Sequence, residues 1–186
     1  SWHSGAVPAF GGKDASLLIV GLAPGLRGAH ATGRPFTGDG AGDVLYPALL
    51  RLNMAIGTYG AQQNDGLMLE STRITNAVRC VPPQNKPTAQ EIRQCRPFLR
   101  YEIESMPHLR SIVALGRIAH ESIVRCFDKK PKDYVFAHGT IHHIEKWHIY
   151  DSYHCSRYNI NTNRLTVGAL ELVLKEALAH ARKEKS

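Results

Sequence analysis

The stretch Ala15 to Leu22, ASLLIVGL, constrains this chain most: it is almost wholly apolar, and Ala23, Pro24 and Gly25 come at once after it. A run this short and this uniformly apolar suits a strand buried on both faces of a parallel sheet. The next segment cannot extend that strand. Residues 25–41 carry glycines at 25, 28, 33, 38 and 40 and almost no large apolar side chains, too glycine-rich for a helix interior. From Gly42 the apolar positions Val44, Leu45, Leu49, Leu50 and Leu52 fall at helical spacing and predict a helix of about three turns. Strand, glycine loop and helix make the opening crossover of an α/β fold.

The alternation continues. Residues 57–70 read as loop, and Thr72 to Val78 as a second strand whose end delivers Asn76 and Arg79. Thr88-Ala89-Gln90-Glu91 has the spacing of a capping box and opens a helix carrying Ile92, Cys95, Leu99 and Ile103. Ser111 to Leu115 is a third strand stopped by Gly116, with a helix over Ile118 to Phe127. Tyr134 to Tyr150 alternates polar and apolar residues around Gly139, as a hairpin or two short strands would. Leu165 to Lys183 is a C-terminal helix with Leu170, Val173, Leu174, Ala177 and Leu178 on one face, and Arg182 to Lys185 its solvated end. The expectation is a single three-layer α/β/α domain over residues 1–186, its central, mostly parallel sheet having about four strands. Ligands bind outside the carboxyl ends of such strands, which directs attention to residues 21–42, 76–87 and the segment after Tyr153.

Composition narrows the function classes. No apolar run approaches the roughly 20 residues needed to cross a bilayer. The balance of 23 Lys and Arg against 16 Asp and Glu gives a formal charge of +7, which favours a polyanionic partner. Nucleic acid leads, and an anionic membrane surface is the weaker candidate. Four cysteines, at 80, 95, 126 and 155, form no Cys-x-x-Cys pair, and no secretory leader is visible, which predicts a reducing, cytoplasmic setting without disulfides. The opening Ser1-Trp2-His3 reads as the interior of a longer chain, so an upstream segment is expected.

Three constellations lie at predicted strand ends. In the first, Gly21 to Gly25 and the run Thr32-Gly33-Arg34-Pro35-Phe36-Thr37-Gly38-Asp39 combine backbone donors, an aromatic face and a carboxylate able to orient water. It matches neither a P-loop nor a dinucleotide fingerprint, and a plain surface loop remains open. In the second, Asn76 precedes Arg79, Cys80, Pro82 and Pro83. Its amide can read a pyrimidine edge with one donor and one acceptor, or simply cap a turn. In the third, His154 stands among Ser152, Tyr153, Ser156, Arg157, Tyr158 and Asn159, where an imidazole could assist a leaving group and Arg157 and Tyr158 could meet phosphate and base. His142, His143 and His148 match no standard zinc spacing.

Taken together and in order, GLAPG at 21–25, TGRPFTGD at 32–39, NAVRCVPP at 76–83 with the later Cys95, and His154-Cys155-Ser156 with NTNRLT after it resemble the uracil-DNA glycosylase superfamily, its family 5 type above all. The resemblance runs from about Trp2 to the C-terminal helix. It implies a monofunctional base-excision repair enzyme that cuts the N-glycosidic bond of uracil, with hypoxanthine and other deaminated bases as further substrates, in a nucleotide flipped out of double-stranded DNA. It implies that Gly21, Leu22, Ala23, Pro24 and Gly25 shape the pocket floor and Phe36 stacks on the base. Asp39 orients water, Asn76 reads the base edge and His154 supports the departing base. Arg34, Ser156, Arg157, Tyr158 and Asn159 are the implied DNA contacts, with residues 155–159 entering the minor groove. Family 4 relatives carry an acidic residue where this chain has Leu22 or Ala23, which moves the carboxylate role to Asp39. Cys155 stands where a proline is usual, with a looser loop or an oxidisable site as the consequence. The family's 4Fe-4S cluster has four cysteine ligands. Cys80 and Cys95, 14 residues apart, match its second pair, and either the first pair lies ahead of Ser1 or the cluster is absent. Cys126, inside a predicted helix, is expected to be a buried small hydrophobe. A monomer in the cytoplasm, associated with the nucleoid, completes the expectation. Two other readings stay open: a hydrolase of small nucleosides or nucleotides, and a non-catalytic damage-binding module.

Overall fold

The computed structural model describes residues 6–25, 27–80 and 86–183. Trp2, Val81 to Pro83, and Glu184 and Lys185 of the motifs above lie outside them.

The opening apolar run forms β1 (Leu17–Gly21), every residue of it buried. After the glycine loop, which holds the single turn α1 (Ala29–Thr32), comes α2 (Gly42–Arg51). A two-stranded ribbon of β2 (Ala55–Ile56) and β3 (Met68–Leu69) precedes β4 (Thr72–Asn76). Next in the chain are α3 (Ala89–Glu104), β5 (Ser111–Leu115), α4 (Arg117–Cys126), β6 (Ile141–Ile144), β7 (Trp147–Ser152), α5 (Arg157–Asn161) and α6 (Val167–Ala181). The capping box at α3 is formed as the spacing predicts, Thr88 accepting from the Glu91 amide while Glu91 accepts from the Thr88 amide.

The main sheet has the order β4-β1-β5-β7-β6, parallel except for the β6 edge, and so has five strands rather than about four. The difference arises in the segment from Tyr134 to Tyr150. Its chain reversal falls at Glu145 and Lys146, not at Gly139, so β6 and β7 pair as a hairpin and β7 then joins β5. Successive β1 side chains serve opposite layers: Leu17 and Ile19 pack with Leu45, Leu49, Leu170 and Leu174 of α2 and α6. Leu18 and Val20 pack with Leu99, Ile103, Ala119 and Ile123 of α3 and α4. That double burial is why β1 reads as a continuous apolar run. The chain leaves β1 toward β4 and returns past it to β5, so the topological switch point, where such sheets open a crevice, lies at the carboxyl ends of β1 and β5. No helix among the described residues is long and apolar enough to cross a membrane.

Candidate active site at the carboxyl edge of the sheet

At the switch point a cleft of about 340 Å³ is walled by Leu22, Leu115, Gly116, Ile118 and His154. A second hollow of similar size continues it on the other side of His154, toward Phe136, Tyr153, Asn159 and Arg164. Just before Leu22 in the chain, the end of β1 is closely packed. Gly21 and Asn76 are register partners at the ends of β1 and β4, and a Cβ on Gly21 would lie 2.4 Å from the Phe36 ring and 2.5 Å from Asn76 Oδ1. Only glycine lets these two side chains meet over the strand end. The Phe36 ring lies 5.9 Å from that of His154, nearly parallel to it.

Phe36 holds this place at a backbone φ of +55°, uncommon for an aromatic residue. Its neighbours impose it. Arg34 Nε donates to Thr37 Oγ1 at 2.7 Å, the Tyr46 hydroxyl donates to the Pro35 carbonyl at 2.5 Å, and Thr32 Oγ1 donates to the Thr37 carbonyl. Arg34 also sends both guanidinium nitrogens to Asp65, at 2.9 and 2.7 Å, and holds that carboxyl well below its usual range. At 3% exposure Arg34 is closed to phosphate, which corrects its place among the DNA contacts: the loop needs this cation inside, with Asp65 as its partner. Sequence spacing carries no sign of that partner, 31 residues away.

Asp39 sits at the amino end of α2. Its Oδ1 accepts from the Gly42 amide at 2.8 Å, while Oδ2 faces the backbone of Gly25 and Gly28. Burial raises its pKa, and the Gly42 and Ala41 amides pull it back. His154 is half-buried, and desolvation pushes it down to about 4, so the ring is neutral. Asn159 donates its amide to the His154 carbonyl at 2.8 Å, which makes it a brace for His154. Residues 155–159 lead straight into α5, capped by Ser156 through the Asn159 amide, so this segment is a helix start rather than a free loop. Tyr158 projects from it at 72% exposure, and Arg157 reaches back to Asp43 at 3.4 Å. Cys155 is sealed against the Ala41 carbonyl, its thiol pushed up to about 12 by burial. A protonated, inaccessible thiol makes neither a loose loop nor an oxidisable site, contrary to the expectation for that position.

The four thiols are of two kinds. Cys126 is buried like Cys155, its thiol also pushed up to about 12, and donates to the Arg96 carbonyl. Cys80 is exposed and Cys95 half-buried. The thiols of the described residues therefore do not close a four-thiolate cluster, and an iron-sulfur group at Cys80 and Cys95 would need two ligands from elsewhere.

Sequence reasoning missed a buried network behind the cleft. Asp151 Oδ1 meets His120 Nδ1 at 2.7 Å, Oδ2 meets His142 Nε2 at 3.0 Å, and His120 Nε2 lies 2.6 Å from the Tyr134 carbonyl. Both nitrogens of His120 face acceptors, an arrangement that favours the imidazolium form beside the Asp151 carboxylate and raises the His120 pKa. His143 and His148 turn the other way, and His148 stacks on His180 at 3.8 Å. Arg164, inside the quoted NTNRLT, and Arg117 at the start of α4 add positive charge to the hollow beside His154. Their signal was their place after strand ends.

The family model for the uracil DNA glycosylase superfamily matches residues 8–178. The chain is similar to the type-5 uracil-DNA glycosylase of Pyrobaculum aerophilum, 38% identical over 181 residues, which cover 97% of this chain and 79% of that protein. It is similar to the type-5 enzyme of Thermus thermophilus, 42% identical over 172 residues, covering 92% and 78%. A type-4 uracil-DNA glycosylase of Archaeoglobus fulgidus is 33% identical over 143 residues, covering 76% and 63%. A matching family model over most of the chain, with two type-5 proteins aligned across nearly all of it, makes this chain a member of the uracil DNA glycosylase superfamily, on its type-5 side.

Proposed function

We propose that this protein hydrolyses the N-glycosidic bond of uracil in DNA. The observation that carries the reading is the meeting of Phe36 and Asn76 over Gly21, with His154 against the same Phe36 ring. A flat base extruded from the stack finds there an aromatic face, an amide with one donor and one acceptor, and a neutral imidazole. As the bond breaks, negative charge gathers on the base and positive charge on the sugar. A His154 N–H donates to the departing base oxygen, and because the ring is already neutral it stabilises the anion without having to lose a proton first. Asp39, tethered by its Oδ1, turns Oδ2 toward the sugar side, where it orients water and steadies the cationic sugar. Asn76 selects the base by its edge. Arg157, Tyr158 and Ser156 at the start of α5, with Arg117 and Arg164, make the DNA contacts. The exposed Tyr158 is suited to fill the gap in a duplex. Hypoxanthine and other deaminated bases are secondary substrates, and the protein acts as a monomer on double-stranded DNA.

The test is strand scission after alkali on labelled duplexes carrying one uracil, one hypoxanthine or only normal bases, with wild type beside Asp39→Asn. Wild type is expected to cut at uracil, and the variant to be slower by about 10²- to 10⁴-fold, the range for a positioned base. No cut in any duplex by wild type overturns the function, and an unimpaired variant overturns the role of Asp39.

A further inference from the structure

Helices α3 and α4 pack side by side, and the groove between them, of about 320 Å³, is unusual in what lines it. Arg93 and Arg96 come from one helix, and Glu121, Ser122 and Arg125 from the other. The spacing of three and four residues puts each set on one helical face, where a packed pair ordinarily carries apolar side chains. Three guanidinium groups against one carboxylate leave this groove cationic.

These arginines differ from their neighbours. Arg73 and Arg79 both bind Glu102, and Arg100 is held by Glu104 and Asp128. Arg93, Arg96 and Arg125 make no ion pair among the described residues. Two buried polar atoms of the lining residues also lack hydrogen-bond partners among the described residues: Arg96 Nε, and the Oγ of Ser122, whose residue is 2% exposed. Buried donors left without an acceptor are costly, and native structures rarely keep them so. Three guanidinium groups and a hydroxyl belong to residues that line this one groove, and an anion with more oxygens than a carboxylate matches that donor set.

We infer that the α3–α4 groove is a binding site for a phosphate group. Ile118 lines both this groove and the cleft beside His154, so the two sites share a wall. A backbone phosphate of DNA seated in the cleft is one source of the ligand, and free phosphate the other.

Inorganic phosphate titrated at constant ionic strength, followed by calorimetry and thermal shift, tests the site directly. Wild type is expected to bind saturably where chloride does not. The double substitution Arg93→Gln, Arg125→Gln removes two exposed groups without touching the core, and it is expected to weaken binding by about tenfold or more for each charged hydrogen bond lost. Ser122→Ala should weaken it less. No saturable phosphate binding by wild type, or equal binding by the double variant, overturns the inference. The source is read from binding to an undamaged duplex at several salt concentrations. If the slope of log Kd against log salt falls by about 0.9 in the double variant, the ligand is a DNA phosphate. An unchanged slope with phosphate binding still lost assigns free phosphate. Neither arm measures base release, so the groove and the glycosylase reading fail or stand separately.

Discussion

Burial acts in opposite senses on two titratable groups of the candidate site, His154 and Asp39. It takes the proton off His154, pushed down to about 4, and keeps it on Asp39 to a higher pH than a free aspartate, with the amides at the start of α2 pulling back. His154 is neutral well above pH 4, and on the proposed mechanism activity needs the Asp39 carboxylate ionised. Activity falls as pH drops through the raised Asp39 value and is restored as the carboxylate ionises. Single-turnover base release against pH should therefore cross the ordinary histidine value of 6.5 without an inflection, and an inflection there would put the His154 ring in water. In the proposed mechanism Asn76 and His154 divide the work differently. His154→Ala is expected to slow release of every base by about 10²- to 10³-fold, the loss seen when a donor to a developing anion is removed. Asn76→Ala is expected to cost about 1–3 kcal/mol of discrimination between bases, the amount a two-point edge contact carries. Rates measured on uracil and on competing bases separate the two, and equal losses on all bases for Asn76→Ala would contradict its role as a reader.

The element that positions this chemistry is the loop between β1 and α2. Phe36 at φ +55° is a strained residue, of the kind that persists only where its surroundings over-determine it. Here the surroundings are the Arg34–Asp65 pair, the Tyr46 and Thr32 hydroxyls, and Gly42, where a Cβ would lie 1.6 Å from the Phe36 carbonyl oxygen. Asp65→Asn leaves a buried guanidinium without its counter-ion, which costs about 3–5 kcal/mol of stability. Urea denaturation should show that loss, with base release lost alongside it as Phe36 is freed. A change below about 1 kcal/mol would mean the pair holds nothing. The strands and helices of this fold were legible because their signals are local: the apolar run of β1, the capping box of α3, the stop at Gly116. The candidate residues Gly21, Phe36, Asn76 and His154 were legible as motifs, and the topology brings them to one strand edge. Arg34 was misread because its meaning depends on Asp65, across a loop whose length no local pattern measures. The cleft's histidine network was invisible for the same reason, since His120, His142 and Asp151 meet only after α4, β6 and β7 have packed.

That network ties the whole carboxyl edge together. Asp151 on β7 binds His120 of α4 and His142 of β6, and lies three residues before His154, while α4 begins in the wall of the cleft. Burial alone would lower the His120 pKa. The hydrogen bond and charge of Asp151, with the Tyr134 carbonyl, outweigh it and raise the value above 6.5. A histidine whose folded value exceeds its unfolded one contributes stability that is complete below the unfolded value and is lost as pH climbs through the folded one. His138, His148 and His180 are shifted the other way, so they stay neutral in the folded protein and contribute nothing that changes above 6.5. The buried thiols Cys126 and Cys155 add their own loss only as pH passes the ordinary cysteine value of 9.0. The interval between 6.5 and 9.0 therefore isolates His120 among these groups. Melting temperature followed across it should decline in wild type, and the decline should flatten in His120→Gln, which starts less stable at pH 6.5. A flat wild-type profile, or an equal slope in the variant, would show that the imidazolium–carboxylate pair does not hold α4 and β7 together.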